Sequence, residues 1–153
     1  MWIPPELKEP VMLHAPTMKQ TGYFGAVRSQ DGTFFSRNSD IFNGVTFEAF
    51  LKRLVRRRKK GRRMVLVMDN SRYHHARLLK PFLRRNRKVL KLSFLPPYSP
   101  DLNPIERVWK VTRRLCVHNR FFPRLRVLVR TVNKQFSAWS VPNDTLKRLC
   151  AVI

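Results

Sequence analysis

Residues 64-MVLVMDNSRYHH-75 and 93-SFLPPYSPDLNPIERVW-109 decide the fold. The first begins as an apolar run, Met64 to Met68, too short and too β-branched to prefer a helix, and it stops at a carboxylate, Asp69. The second follows another apolar run, Val89 to Leu95, and passes through a proline-rich loop. It then delivers Glu106 into the first turn of a helix that Asn103 can cap and Pro104 can open. Two acids thus stand at the ends of secondary elements in a chain that has few acids to spend.

Working outward, the segment between the two strands, His75 to Asn86, carries Leu78, Leu79, Phe82 and Leu83 at helical spacing, with Pro81 imposing a kink or break. Downstream, Ile105, Val108, Trp109, Thr112, Leu115 and Cys116 make a buried stripe on the helix that carries Glu106. A further helix is expected over Pro123 to Phe136, and a short one from about Asn143. Upstream, Phe47 to Lys59 reads as a helix with Phe47, Phe50, Leu51, Leu54 and Val55 on one face, Thr46 as cap and Glu48 in the first turn. It ends in the cation run 56-RRRKKGRR-63, suited to the negative pole of the helix. Gly22 to Val27 and Thr33 to Ser36 read as a hairpin around Asp31-Gly32. Residues 1–20, with prolines at 4, 5, 10 and 16, read as an irregular lead-in with a short strand at Val11–His14. The order is hairpin, helix, strand, helix, strand, helix, helix, which predicts a mixed α/β sheet with helices packed on it. Ligands in such sheets gather at the carboxyl ends of strands, where Asp69 sits.

The composition narrows the partners. Of 153 residues, 32 are Lys or Arg and 9 are Asp or Glu, a formal charge of +23. An excess of that size is costly unless a polyanion offsets it, and nucleic acid is the natural one. A disordered basic tail does not fit 43% hydrophobic residues and three Trp. No apolar run approaches the roughly 20 residues that span a bilayer, and the N-terminus lacks a signal-like pattern, so the expectation is a cytoplasmic protein. Cys116 and Cys150 lie in apolar helical patterns and read as buried thiols.

Metal-dependent phosphodiester chemistry uses carboxylates to hold divalent ions, one activating the nucleophile and one stabilising the leaving oxygen. Asp69 and Glu106 suit that use with Mg2+ or Mn2+, which take oxygen ligands and keep several waters. Each acid also has a plainer reading. Asp69-Asn70 can end a strand in a turn, and Glu106 can close a capping box with Asn103 or pair with Lys110. His74 and His75 have no ligand at zinc spacing. Arg107, Lys110, Arg113 and Arg114 lie beside Glu106 on the exposed side of its helix and are candidate phosphate contacts. Trp109 belongs to the core stripe. Tyr98 is as well suited to loop packing as to nucleic acid.

The two stretches, MVLVMDNSRYHHA and FLPPYSPDLNPIERVWK, resemble the catalytic core of DDE transposases of the mariner-related group found in bacterial insertion sequences. The likeness runs from about Gly22 to Lys110. It implies a ribonuclease H-like mixed sheet flanked by helices, with residues 21–118 as a partial catalytic core and 119–153 as C-terminal helices. The implied activity is cleavage of transposon ends and transfer of the freed 3′-hydroxyl to target DNA with Mg2+ or Mn2+, by a protein associated with the nucleoid. Asp69 matches the family's second catalytic aspartate and Glu106 its third acid, with Asn70 and His74 in supporting positions. The family's first aspartate, at the end of the first central strand, has no counterpart here, which implies a chain lacking that strand. Such a chain is expected to fold poorly and to lack transposition activity alone. An upstream polypeptide could supply the strand, and the full-length family implies a homodimer. The competing readings are a non-catalytic basic nucleic-acid-binding remnant and, third, a structural RNA-binding protein. Metal-dependent nicking lost in Asp69→Asn separates the first from the others.

Overall fold

The computed structural model describes residues 13–14 and 20–151, so most of the lead-in expected over 1–20 lies outside the described residues. Its strands are β1 (Leu13–His14), β2 (Gln20–Val27), β3 (Phe34–Ser39), β4 (Met64–Met68) and β5 (Leu90–Phe94). Its helices are α1 (Gly44–Arg56), α2 (Leu79–Arg85), α3 (Pro104–Thr112), α4 (Leu125–Ala138) and α5 (Asp144–Leu149).

The hairpin forms as the Asp31-Gly32 signal predicts. Gly32 takes φ +75, which favours glycine, and β2 and β3 pair antiparallel from Gly22↔Ser39 to Val27↔Phe34. Asp31 fixes the turn: it accepts from Arg28 at 2.8 and 2.7 Å and from the Thr33 amide at 3.1 Å. β4 and β5 pair parallel, Met64↔Leu90 to Met68↔Phe94, joined by a crossover through α2. Among the described residues no ladder joins β2 to β4, so the strands form a three-stranded and a two-stranded sheet.

Alternation along β2 builds two cores, because successive side chains point to opposite faces. Tyr23 joins Phe34, Trp109, Leu128, Val132 and Phe136 under α3 and α4. Phe24 joins Phe47, Phe50, Leu51, Met68 and Phe82 under α1 and α2. Each fully buried large side chain contributes about 1.5–3 kcal/mol. Gly25 is required where β2 meets α3: a Cβ there would lie 2.7 Å from Cζ2 of Trp109, inside the ring's contact distance.

Several local expectations are corrected. α1 starts at Gly44, not Phe47, because Asn43 is the cap: its side chain accepts from the Thr46 amide while Thr46 accepts from the Asn43 amide. The helix expected over His75–Asn86 is broken into a 3-10 turn, Arg72–His75, and α2, with Pro81 in the first turn of α2, where its missing N–H costs little. Asn103 caps α3 and Pro104 opens it as expected, but α3 widens into a π-turn over Arg113–Val117. That extra residue per turn rotates Leu115 out of the stripe to 43% exposure, while Cys116 stays buried. The apolar run Arg63 to Met68 reads as a buried strand, but β4 buries one face only: Val65 and Val67 are 55% and 48% exposed, because α3 and α4 pack on the hairpin and leave that face of β4 uncovered.

Candidate active site

A cleft of about 520 Å³ lies between β2 and β4. Its walls are residues 23–27 of β2 and 65–68 of β4, and its mouth carries Asp69, Ser71, His74, Asn103 and Glu106. A second, smaller notch is lined by Ala26 to Gln30 together with Arg63 to Leu66. The carboxyl end of β2 therefore faces the amino end of β4, and the two strands run in opposite directions across the cleft.

Asp69 is the first residue after β4, placed there because the apolar run ends and the chain turns. Its Oδ1 lies 3.0 Å from His74 Nδ1 and accepts from the Ser71 amide at 3.1 Å. His74 Nδ1 is also 3.0 Å from the Asp69 carbonyl, and its ring is 91% covered between Phe47 and Tyr73, which fixes its orientation. The His74 hydrogen bond first, and the Ser71 bonds after it, hold the Asp69 carboxyl down at about 2, against the effect of burial. Asn70 braces the same corner by donating to the Leu95 carbonyl at 2.6 Å, tying the end of β4 to the end of β5.

Glu106 enters from α3. It closes no capping box: the Asn103 side chain accepts from the Ile105 amide at 3.4 Å. Nor does Glu106 form an ion pair with Lys110 among the described residues. Partial desolvation in the cleft pushes its carboxyl above the ordinary value; Arg113 opposes the rise and the negative charge of Asp69 adds to it. The fold thus brings the two acids within electrostatic reach of one another at one mouth.

The basic residues expected to hold phosphate divide. Lys110, Arg113 and Arg114 are exposed on the flank of Glu106. Arg107 instead donates to the carbonyls of Leu149 and Ala151 at 3.1 and 3.3 Å, anchoring the end of α5. Tyr98, at φ 58, is 96% exposed at the tip of the proline loop, so loop packing does not account for it. Trp109 is 5% exposed and belongs to the core. Ser71 escaped the sequence reading as a contributor; its signal, a hydroxyl two residues beyond a strand-ending Asp, fits any Asx turn.

Among the described residues no three His, Cys, Asp or Glu converge as a metal cluster. The two carboxylates nonetheless fit a hard divalent ion: both are oxygen donors, and their mutual repulsion is what a cation would relieve. One or two carboxylates plus substrate phosphates and water suffice for magnesium.

The sequence profile of the DDE superfamily endonucleases matches residues 2–129. The 39 kDa protein of insertion element IS630 from Shigella sonnei is 27% identical over 95 residues, 62% of this chain and 27% of that protein. Protein y4pE/y4sA of Sinorhizobium fredii is 32% identical over 99 residues, 65% of this chain and 70% of its own length. The Tcb2 transposase of Caenorhabditis briggsae is 33% identical over 81 residues, 51% of this chain and 29% of that protein. The chain therefore spans less than a third of the insertion-element protein and of the Tcb2 transposase. The crystal structure of the catalytic domain of Mos1 mariner transposase matches with a TM-score of 0.70 at 17% identity, covering 93% of this chain and 72% of that one. That likeness is one of fold, a mixed α/β arrangement of the same kind.

Proposed function

Since the chain belongs to the DDE superfamily endonuclease family, we propose that it carries part of the site of a transposase, with Asp69 and Glu106 as its divalent-metal ligands. The reaction is cleavage of phosphodiester bonds at transposon ends and transfer of the 3′-hydroxyl to target DNA. The observation that carries this reading is the meeting of the two acids at the mouth of one cleft, where the charge of one raises the other. When bound, Mg2+ or Mn2+ supplies activation of the attacking oxygen and stabilisation of the leaving one.

The chain's own groups do the rest. His74 and Ser71 keep Asp69 ionised and fixed in direction. Asn70 and the Asn103 cap hold the two element ends that present the acids. Lys110, Arg113 and Arg114 hold the phosphate backbone beside Glu106, while Arg107 positions α5. The unpaired edge of β4, and that of β2 beyond its pairing with β1 at Gln20 and Thr21, support the further reading that the family's first strand, with its aspartate, belongs between them and comes from an upstream polypeptide. The assembled enzyme is a homodimer, since two transposon ends are cut.

Among the described residues no third acid joins the pair, and that observation favours one second reading, a non-catalytic DNA-binding remnant. Mn2+ titration followed by paramagnetic resonance, beside plasmid nicking in Mg2+, separates the two. The proposal expects Asp69→Asn and Glu106→Gln each to weaken Mn2+ binding at least tenfold and to abolish any nicking. Salt-sensitive DNA binding with no Mn2+ site, indifferent to both substitutions, establishes the remnant.

A further inference from the structure

Helix α5 is a strut between two parts of the molecule that lie far apart in the sequence. Asn143 caps its amino end, its side chain accepting from the Leu146 amide at 2.9 Å. The same residue fastens the helix to the β2–β3 turn: its amide donates to the Asp31 carbonyl and its side chain to the Gly32 carbonyl, both at 2.9 Å. The turn sits so close that a Cβ on Gly32 would meet the Asn143 carbonyl and the Lys147 amide. Leu146 and Cys150 are fully buried in the core that holds Tyr23 and Trp109. Six residues of helix then span about 9 Å and end against the first turn of α3.

The contact there is made on both sides of Glu106. Two positions before it, the Pro104 carbonyl accepts from Cys150 Sγ at 3.8 Å. One position after it, the Arg107 guanidinium donates to the Leu149 and Ala151 carbonyls at 3.1 and 3.3 Å. The last carbonyls of a helix have no partner within it, so a guanidinium laid across them gains two acceptors. The turn's own cap is loose by comparison, with Asn103 accepting from the Ile105 amide at 3.4 Å. Glu106 forms no ion pair among the described residues, and the cation that acts on its carboxyl is Arg113. Arg107 therefore bears on Glu106 through the backbone, not through its charge.

We propose that Arg107 is a positioning residue: by latching the first turn of α3 to the end of α5, it fixes the direction in which Glu106 enters the cleft. Through α5, the β2–β3 turn shares in that alignment. A functional side chain must be held to within about 0.5 Å, and a first turn with so long a cap bond needs a brace from outside. The consequence for metal binding rests on the proposed function; the alignment does not.

The test reads backbone orientation in EDTA, through amide residual dipolar couplings of residues 105–108. Arg107→Ala and Arg107→Lys are compared with Arg148→Ala. Arg148 is an exposed cation beside Leu149 with no ion pair among the described residues, so its loss removes charge and no latch. Arg107→Ala is expected to change the couplings of residues 105–108 while those of β4 and Asp69 hold, which a general loss of structure would not do. Arg107→Lys reaches one carbonyl and should show a smaller change; it keeps charge and bulk, so it carries the comparison even where alanine unfolds the turn. Arg148→Ala should show no change. Mn2+ affinity by paramagnetic resonance should follow the same order, falling about tenfold in Arg107→Ala, the lower end of what a supporting partner contributes. Unchanged couplings in both Arg107 variants overturn the inference, as does an equal change in Arg148→Ala. So does a shift that leaves the Mn2+ affinity of a metal-binding wild type untouched. Couplings that shift in a protein whose wild type binds no Mn2+ refute the proposed function and leave the positioning role standing.

Discussion

Replacing His74 by alanine tests the electrostatic design of the proposed site. His74 supplies the largest influence holding the Asp69 carboxyl at about 2 against an ordinary 3.8. The full depression corresponds to about 2.4 kcal/mol at 1.36 kcal/mol for each tenfold change. Asp69 is 55% exposed, so solvent screening reduces the stabilisation to about 1 kcal/mol. The sign follows from linkage. A carboxyl depressed by folding contributes stability that is fully present above 3.8 and is lost as pH falls through about 2. In His74→Ala the Ser71 amide remains, so the carboxyl should move most of the way back toward its ordinary value without reaching it. The measurement is the carboxyl carbon shift of Asp69 across pH 1.5–6, beside urea unfolding at pH 2 and pH 5. The wild type should lose about 0.5 kcal/mol more between those pH values than the variant does, since part of the linkage remains at pH 2 and the Ser71 bonds persist in the variant. A titration of Asp69 that stays near 2 in His74→Ala refutes the argument.

Gly25→Ala is expected to destabilise by about 1–3 kcal/mol in urea melts, since its Cβ would meet the Trp109 ring deep in the core, and Trp109→Phe in the same chain should recover part of the loss. Unchanged stability in Gly25→Ala would mean that α3 can withdraw freely from β2. Glu106→Gln should raise stability at pH 7. A carboxyl raised by folding opposes the native state as pH climbs through and above its ordinary range, and the amide removes that charge. A higher melting temperature is expected by calorimetry, with the order reversing in saturating Mn2+. A less stable variant in metal-free buffer would contradict it.

The elements that read clearly from sequence are those whose cause is local. Pro104 after Asn103 announces α3 because cap and first position are set by two adjacent residues. The Asp31-Gly32 turn is equally local. Leu115 misleads because a π-turn changes the period inside a helix, and no residue type marks that change. Arg107 looks like a phosphate contact because its partners, the Leu149 and Ala151 carbonyls, lie some forty positions away. The site divides the same way. Asp69 and Glu106 each stand out by position, but their common cleft is a product of β2, β4 and α3 together, and only the resemblance linked them beforehand. The role of His74 was beyond pattern reading, since its orientation comes from burial between Phe47 and Tyr73.

Alternation along β2 has a thermodynamic consequence. One core hangs from Tyr23 and the other from Phe24, and no backbone ladder passes from β2 to β4. Among the described residues cooperativity between the halves is therefore carried by side-chain packing through the β2–β3 hairpin, since Phe34 of β3 joins the first core and Phe35 packs on the second. Two folding units that share the hairpin are the expectation, each able to lose order with the hairpin still standing. A strand seated across the gap would add the missing rungs and merge the two units into one.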